Sequence, residues 1–196
     1  EHAFQALLIP GSRVEPVSAD PRITAVTLTG STPAGKAVAA AAGKHLKKTV
    51  LELGGSDPYL ILEDADIEHA VKTCGTSRLN NCGQSCVSAK RLIVVGEHKA
   101  RFEQGIAEIF SKAVQGDPMD AATTMGPMAR ADLRDELHDQ VMRSVKAGAK
   151  LLMGGKNPGG KSAFYPPTVL TDVKKGMPAY AEEMFGPVAV IIPAKD

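Results

Sequence analysis

Apolar residues recur along this chain in two alternating rhythms. Short, nearly unbroken runs rich in β-branched residues are separated by longer stretches with helical spacing. Phe4–Ile9, ended by Pro10-Gly11, reads as a buried strand, and a short helix is expected from Ser12 to Ala19. Ile23–Leu28, closed by Thr29-Gly30, is a second strand. Thr32 is expected to cap a helix with Pro33 at its first position, and the alanine-rich stretch carries it to about His45. Thr49–Leu53 is a third strand. This β-α-β-α-β order predicts a parallel sheet covered on both faces, an α/β architecture.

The texture changes at Gly54-Gly55, where a domain boundary is expected. Tyr59–Leu62 is strand-like, and Asp66 is placed to cap a helix running to Leu79. Arg91–Val95 is a strand. Lys99–Val114 carries helical apolar spacing through Phe102, Ile106, Ile109 and Phe110. Arg130–Ala147 is a long amphipathic helix stopped by Gly148. Lys150–Met153, Thr168–Leu170 and Val188–Ile192 complete the strands.

Composition narrows the function classes. A net charge of +1, with basic residues scattered, supplies no field for nucleic acid or an anionic membrane. No apolar run approaches the roughly 20 residues of a membrane helix. Three cysteines cannot all pair within the chain, which points to free thiols in a reducing compartment, the cytoplasm. Cys74, Cys82 and Cys86 lack metal-ligand spacing and the histidines are dispersed, so no metal site is expected.

Candidate chemistry gathers at three places. Gly30-Ser31-Thr32-Pro33-Ala34-Gly35 joins a strand to a helix, where free N–H groups favour a phosphate; an ordinary capped helix start is the alternative. Glu52 ends an apolar strand just before two glycines. It is either a partly desolvated base or a strand-end carboxylate turned to solvent. Cys86 follows Gly83-Gln84-Ser85 in a polar setting that suggests a loop at a cleft. A helix starting nearby would favour its thiolate; in isolation such a cysteine is more often a small buried hydrophobe. Cys74 is read as a core residue on a helix face, and Cys82 as a neighbour of the site.

These words together resemble the aldehyde dehydrogenase superfamily over essentially the whole chain. In order they are Leu28-Thr29-Gly30-Ser31-Thr32 with Gly35, Leu51-Glu52-Leu53-Gly54-Gly55, Gly83-Gln84-Ser85-Cys86, Gly126-Pro127-Met128, Tyr165-Pro166-Pro167-Thr168 and Glu182-Glu183-Met184-Phe185-Gly186-Pro187. The resemblance implies the end of a Rossmann-type parallel sheet in residues 1–54 and an α/β catalytic domain in 55–196, incomplete at its C-terminus. It implies Cys86 as the nucleophile and Glu52 as the base that activates water. NAD or NADP would be contacted by Gly30 and Ser31 at the diphosphate, by Leu53 and Gly54 near the nicotinamide, and by Glu183 and Phe185 at the nearby ribose and ring.

Asn80-Asn81-Cys82-Gly83-Gln84-Ser85-Cys86 with Ser88-Ala89-Lys90-Arg91 and Phe164-Tyr165-Pro166-Pro167 is similar to bacterial succinate-semialdehyde dehydrogenases. Some of those enzymes bind the substrate carboxylate through an arginine at the position of Asn80; Arg78 is the nearby candidate here. Another aldehyde, or a non-catalytic assembly role for the same fold, is the alternative. Members of the family are more than twice this long, so the chain reads as a fragment. It is expected to be inactive alone, to expose sheet edges and to self-associate.

Overall fold

The computed structural model describes residues 3–195, which fall into two compact units, one ending at Gly54 and one beginning at Gly55. In the first unit, α1 (Val14–Ala19) precedes β1 (Ala25–Gly30), α2 (Thr32–Lys44) and β2 (Lys48–Leu53). β1 and β2 pair in parallel, with Thr29 opposite Glu52 and Gly30 opposite Leu53. The register brings the Gly30-Ser31 turn and Glu52 to the same carboxyl end of the sheet.

Two expectations need correction here. Phe4–Ile9 is exposed irregular chain, not a buried strand: Leu8 is fully solvent-facing and no strand among the described residues pairs with it. An apolar run becomes a strand only when a neighbour takes up its N–H and C=O groups. The cap of α2 is Ser31 rather than Thr32, its hydroxyl oxygen accepting from the Ala34 N–H at 3.4 Å. Gly35 has a packing role, since a Cβ there would meet Leu53 Cδ2 at 2.5 Å.

The second unit is built on a five-stranded sheet. Its strands are β3 (Pro58–Ile61), β4 (Arg91–Val95), β5 (Lys150–Met153), β6 (Thr168–Thr171) and β7 (Val188–Ala194), in the spatial order β3-β4-β7-β6-β5. All neighbours run parallel except β5, which is antiparallel to β6. α3 (Ile67–Leu79) and α4 (Lys99–Ser111) form one apolar cluster with Ala189 and Ile191 of β7. α5 (Ala131–Lys146) and α6 (Pro178–Ala181) form the other with Val188, Val190 and Ile192. Alternate side chains of one strand thus enter two cores, which is why its sequence is apolar without interruption.

α3 begins where Asp66 accepts from the His69 N–H at 3.1 Å. It crosses α4 through reciprocal small-residue contacts, Gly105 against Val71 and Gly75 against Ile109, where an added Cβ would overlap at 2.6 and 2.8 Å. Phe102, Ile106 and Phe110 fill that seam, each worth about 1.5–3 kcal/mol of burial. α4 stops at Ser111, earlier than its apolar spacing suggests. No helix among the described residues is long and apolar enough to cross a membrane.

Candidate active site

α3 ends at Leu79, and the chain makes a single tight turn over Asn80–Gly83 before the exposed Cys86. Asn81 and Cys82 both take left-handed backbone conformations, with φ of 50° and 54°. Such strain in consecutive non-glycine residues persists only where surroundings over-determine it. Gly83 follows at φ 70°, against the backbone of Gly186.

The surroundings are specific. Asn81 donates from Nδ2 to the Gln84 carbonyl at 2.9 Å, and Gln84 accepts at Oε1 from the Ala129 N–H at 3.0 Å. That second bond ties the loop to the segment after Gly126-Pro127-Met128. The Ser88 N–H donates to the Ser85 carbonyl at 3.3 Å, Tyr59 donates to the Val87 carbonyl at 3.2 Å, and Lys90 Nζ donates to the Cys86 carbonyl at 2.6 Å. Arg78 donates to the carbonyls of Gly83 and Ala89. Every carbonyl from Gly83 to Val87 is therefore held, while the Cys86 side chain remains in solvent. Among the described residues, no protein acceptor takes up the Cys86 N–H. A fixed loop with a free N–H beside an accessible thiol can attack a carbonyl carbon and stabilise the resulting oxyanion.

No helix starts at Cys86; the residue sits in a turn leading to β4, so the expected helix field is absent. Cys74 and Cys82 are buried, which pushes both thiols up to about 11, although the Arg78 charge opposes this at Cys82. Cys86 is the accessible thiol of the three.

Arg78 is not a substrate ligand. Its guanidinium has no exposed surface and is spent on main-chain oxygens: beyond Gly83 and Ala89, it reaches Met184 at 3.0 Å and Gly186 at 2.6 Å. Burial draws its pKa down to about 10, with Glu183 opposing, so it keeps its proton at neutral pH. A detectable signal lay in the spacing of Ile67, Val71, Cys74 and Arg78, which places an arginine on the buried stripe of α3. Lys90, in the Ser88-Ala89-Lys90-Arg91 word, is equally buried and lies 2.9 Å from Glu183 Oε1.

Glu183 and Phe185 thus adjoin the Cys86 loop within the second unit. They also line an open cavity of about 530 Å³ with Leu133, Glu136 and Gln140. A second hollow of about 590 Å³ is lined by Thr76, Asn80, Asn81, Lys112 and Thr124. Cys86 lines neither. In the first unit, Gly30, Ser31, Glu52, Leu53 and Gly54 gather at the end of the β1–β2 pair. Glu52 is exposed, so the desolvation expected of it is not supplied here.

The family model described as "Aldehyde dehydrogenase family" matches residues 3–196. The chain is 51% identical over 196 residues to a succinate-semialdehyde dehydrogenase [NADP(+)] of Mycobacterium avium, covering all of this chain and 42% of that protein. It is 51% identical over 177 residues to the succinate semialdehyde dehydrogenase [NAD(P)+] Sad of Escherichia coli, covering 90% of this chain and 38% of that protein. Among solved structures, succinic semialdehyde dehydrogenase from Streptococcus pyogenes in complex with NADP+ superposes with a TM-score of 0.92 at 40% identity, over 97% of this chain and 42% of that one. The chain thus spans about two fifths of the length of these relatives.

Proposed function

Because this chain belongs to the aldehyde dehydrogenase family, we propose that it forms part of an NAD(P)-dependent enzyme oxidising succinate semialdehyde to the free acid. It would supply the end of the cofactor domain, residues 1–54, and most of the catalytic domain, residues 55–196. The carrying observation is the accessible Cys86 on a loop whose carbonyls are all engaged. Identity of 51% to dehydrogenases of that substrate supports the choice of aldehyde. Three free thiols fit a reducing compartment.

Residues of the chain fit a dinucleotide. At the start of α2 the Thr32 N–H and the Ser31 hydroxyl are the donors for a diphosphate, since Pro33 has no N–H and that of Ala34 is taken by Ser31. Leu53 and Gly54 would adjoin the nicotinamide. The carboxylate of Glu183, held at Oε1 by Lys90 but partly exposed, is suited beside Phe185 to ribose hydroxyls.

In the reaction, the Cys86 thiol first gives its proton to solvent; the thiolate Sγ then adds to the aldehyde carbon, forming a C–S bond, and the Cys86 N–H meets the charge left on oxygen. The cofactor, when bound, supplies the acceptor for the hydride that leaves this carbon. The Cys86 thiohemiacetal thereby becomes a thioester. Glu52 takes a proton from water, whose oxygen attacks the thioester carbon; the C–S bond breaks and the acid departs.

The test is a pair of variants in a full-length enzyme carrying this chain. Cys86→Ala should abolish NAD(P)H formation. Glu52→Gln should give a burst of about one equivalent per site and then stall at the thioester. Undiminished steady turnover in either variant removes that residue from its role.

A further inference from the structure

Two buried cations hold the 83–90 segment against the 182–187 loop, and they do so differently. Arg78 donates to main-chain carbonyls on both sides, Gly83 and Ala89 on one, Met184 and Gly186 on the other. Carbonyls carry no net charge to gain or lose, so no hydrogen bond of this clamp depends on a carboxylate, although the charge of Glu183 is felt at the guanidinium. Lys90 instead joins a carbonyl to a carboxylate. Its Nζ donates to the Cys86 carbonyl at 2.6 Å and stands 2.9 Å from Glu183 Oε1. The Lys90 side chain has no exposed surface, whereas that of Glu183 is 24% exposed. Oε1 lacks a hydrogen-bond partner despite this approach, so the contact with Lys90 is ionic and the directed bond of Lys90 goes to Cys86.

A buried ammonium depends on its counter-charge. Any ligand that engages the partly exposed carboxylate of Glu183 weakens its pull on Lys90. Through the short bond to the Cys86 carbonyl, that change reaches the peptide from which the thiol projects. We propose that Lys90 is a positioning residue that makes the reactivity of Cys86 depend on the charge at Glu183. This rests on the reading above, in which Cys86 is the nucleophile and Glu183 faces a cofactor ribose. It adds a route by which occupancy at the ribose position is felt at the thiol.

The experiment uses this chain and iodoacetamide, with alkylation of each cysteine followed by peptide mass spectrometry. In the parent, Cys86 reacts faster than the buried Cys74 and Cys82. Lys90→Met should slow Cys86 about tenfold, the effect of one lost charge-assisted hydrogen bond, and Lys90→Arg should recover most of the rate. Glu183→Gln should change the Cys86 rate about threefold or more when Lys90 is present and leave it unchanged in Lys90→Met, the non-additivity of residues acting through one another. Equal effects of Glu183→Gln in both backgrounds, or a parental rate in Lys90→Met, overturn the proposal. Circular dichroism reports whether each variant folds. Should Lys90→Met unfold, Lys90→Gln takes its place as a background with an amide donor and no charge, and there too Glu183→Gln must lose its effect. A Cys86 no faster than Cys74 in the parent is a separate failure, that of the nucleophile reading itself.

Discussion

Gly83 and Gly186 approach so closely that a Cβ on Gly83 would lie 2.0 Å from the Gly186 carbonyl oxygen. Backbone meets backbone there, and Gly83 is also at φ 70°, which side chains rarely adopt. Gly83→Ala should therefore destabilise the chain by at least about 3 kcal/mol, from strain and overlap together. Gly43, in α2 with no neighbour within 4 Å of an added Cβ, is the control. Gly43→Ala should be neutral or stabilising by up to about 1 kcal/mol. Urea unfolding of both variants decides; equal midpoints would contradict the close approach.

Arg78 supports a prediction about specificity as well as stability. Lysine has one ammonium where arginine has a planar fork, so Arg78→Lys cannot serve carbonyls on both loops. It should cost about 1–3 kcal/mol for each acceptor left unpaired. In a full-length enzyme carrying this chain, the preference for succinate semialdehyde over a neutral four-carbon aldehyde should not change, because Arg78 does not reach solvent. A selective loss of the carboxylated substrate would reinstate Arg78 as its ligand.

Alkaline pH should weaken the second unit. Burial raises the thiols of Cys74 and Cys82 from 9.0 to about 11, so the folded chain holds protons that the unfolded chain releases. Their contribution is fully present below about pH 9 and is lost as pH rises through about 11. Tyr165, raised from 10.0 to about 12 by burial, acts with the same sign at higher pH. The urea midpoint should fall across this window, and less steeply in Cys74→Ala. A flat profile would mean that the thiols are not buried in solution.

Self-association is the remaining expectation. β1 and β2 form a two-stranded parallel sheet, and Val50 at its surface is 62% exposed. Unpaired strand edges of this kind template pairing with another chain. Light scattering should show mass rising with concentration; a monomer at high concentration would refute this.

Much of the architecture was legible because its signals are local. The cap at Asp66, the strand Arg91–Val95 and the strand Lys150–Met153 depend on neighbours a few residues away, and the structure has them where the pattern puts them. The Gly83-Gln84-Ser85-Cys86 word predicted a loop at a cleft; the loop is there and its thiol is exposed, but Cys86 lines neither of the two cavities described. Other assignments needed distant partners. Phe4–Ile9 has the composition of a strand but no strand to pair with, and composition cannot report that.

The sequence by itself settled the alternation of strands and helices and the family, since short-range propensity and ordered motif words require no knowledge of contacts. Tertiary structure alone decided which groups Arg78 and Lys90 hold. In sequence the helical spacing sets Arg78 on the apolar stripe of α3, but neither its partners nor those of Lys90 can be read there. Met184 and Gly186, 106 and 108 positions away, offer carbonyl oxygens to Arg78, and Glu183 of the same returning loop stands beside Lys90. Such closures are set by how the sheet packs its helices, and an unpaired charge enters that interior only where partners already wait for it.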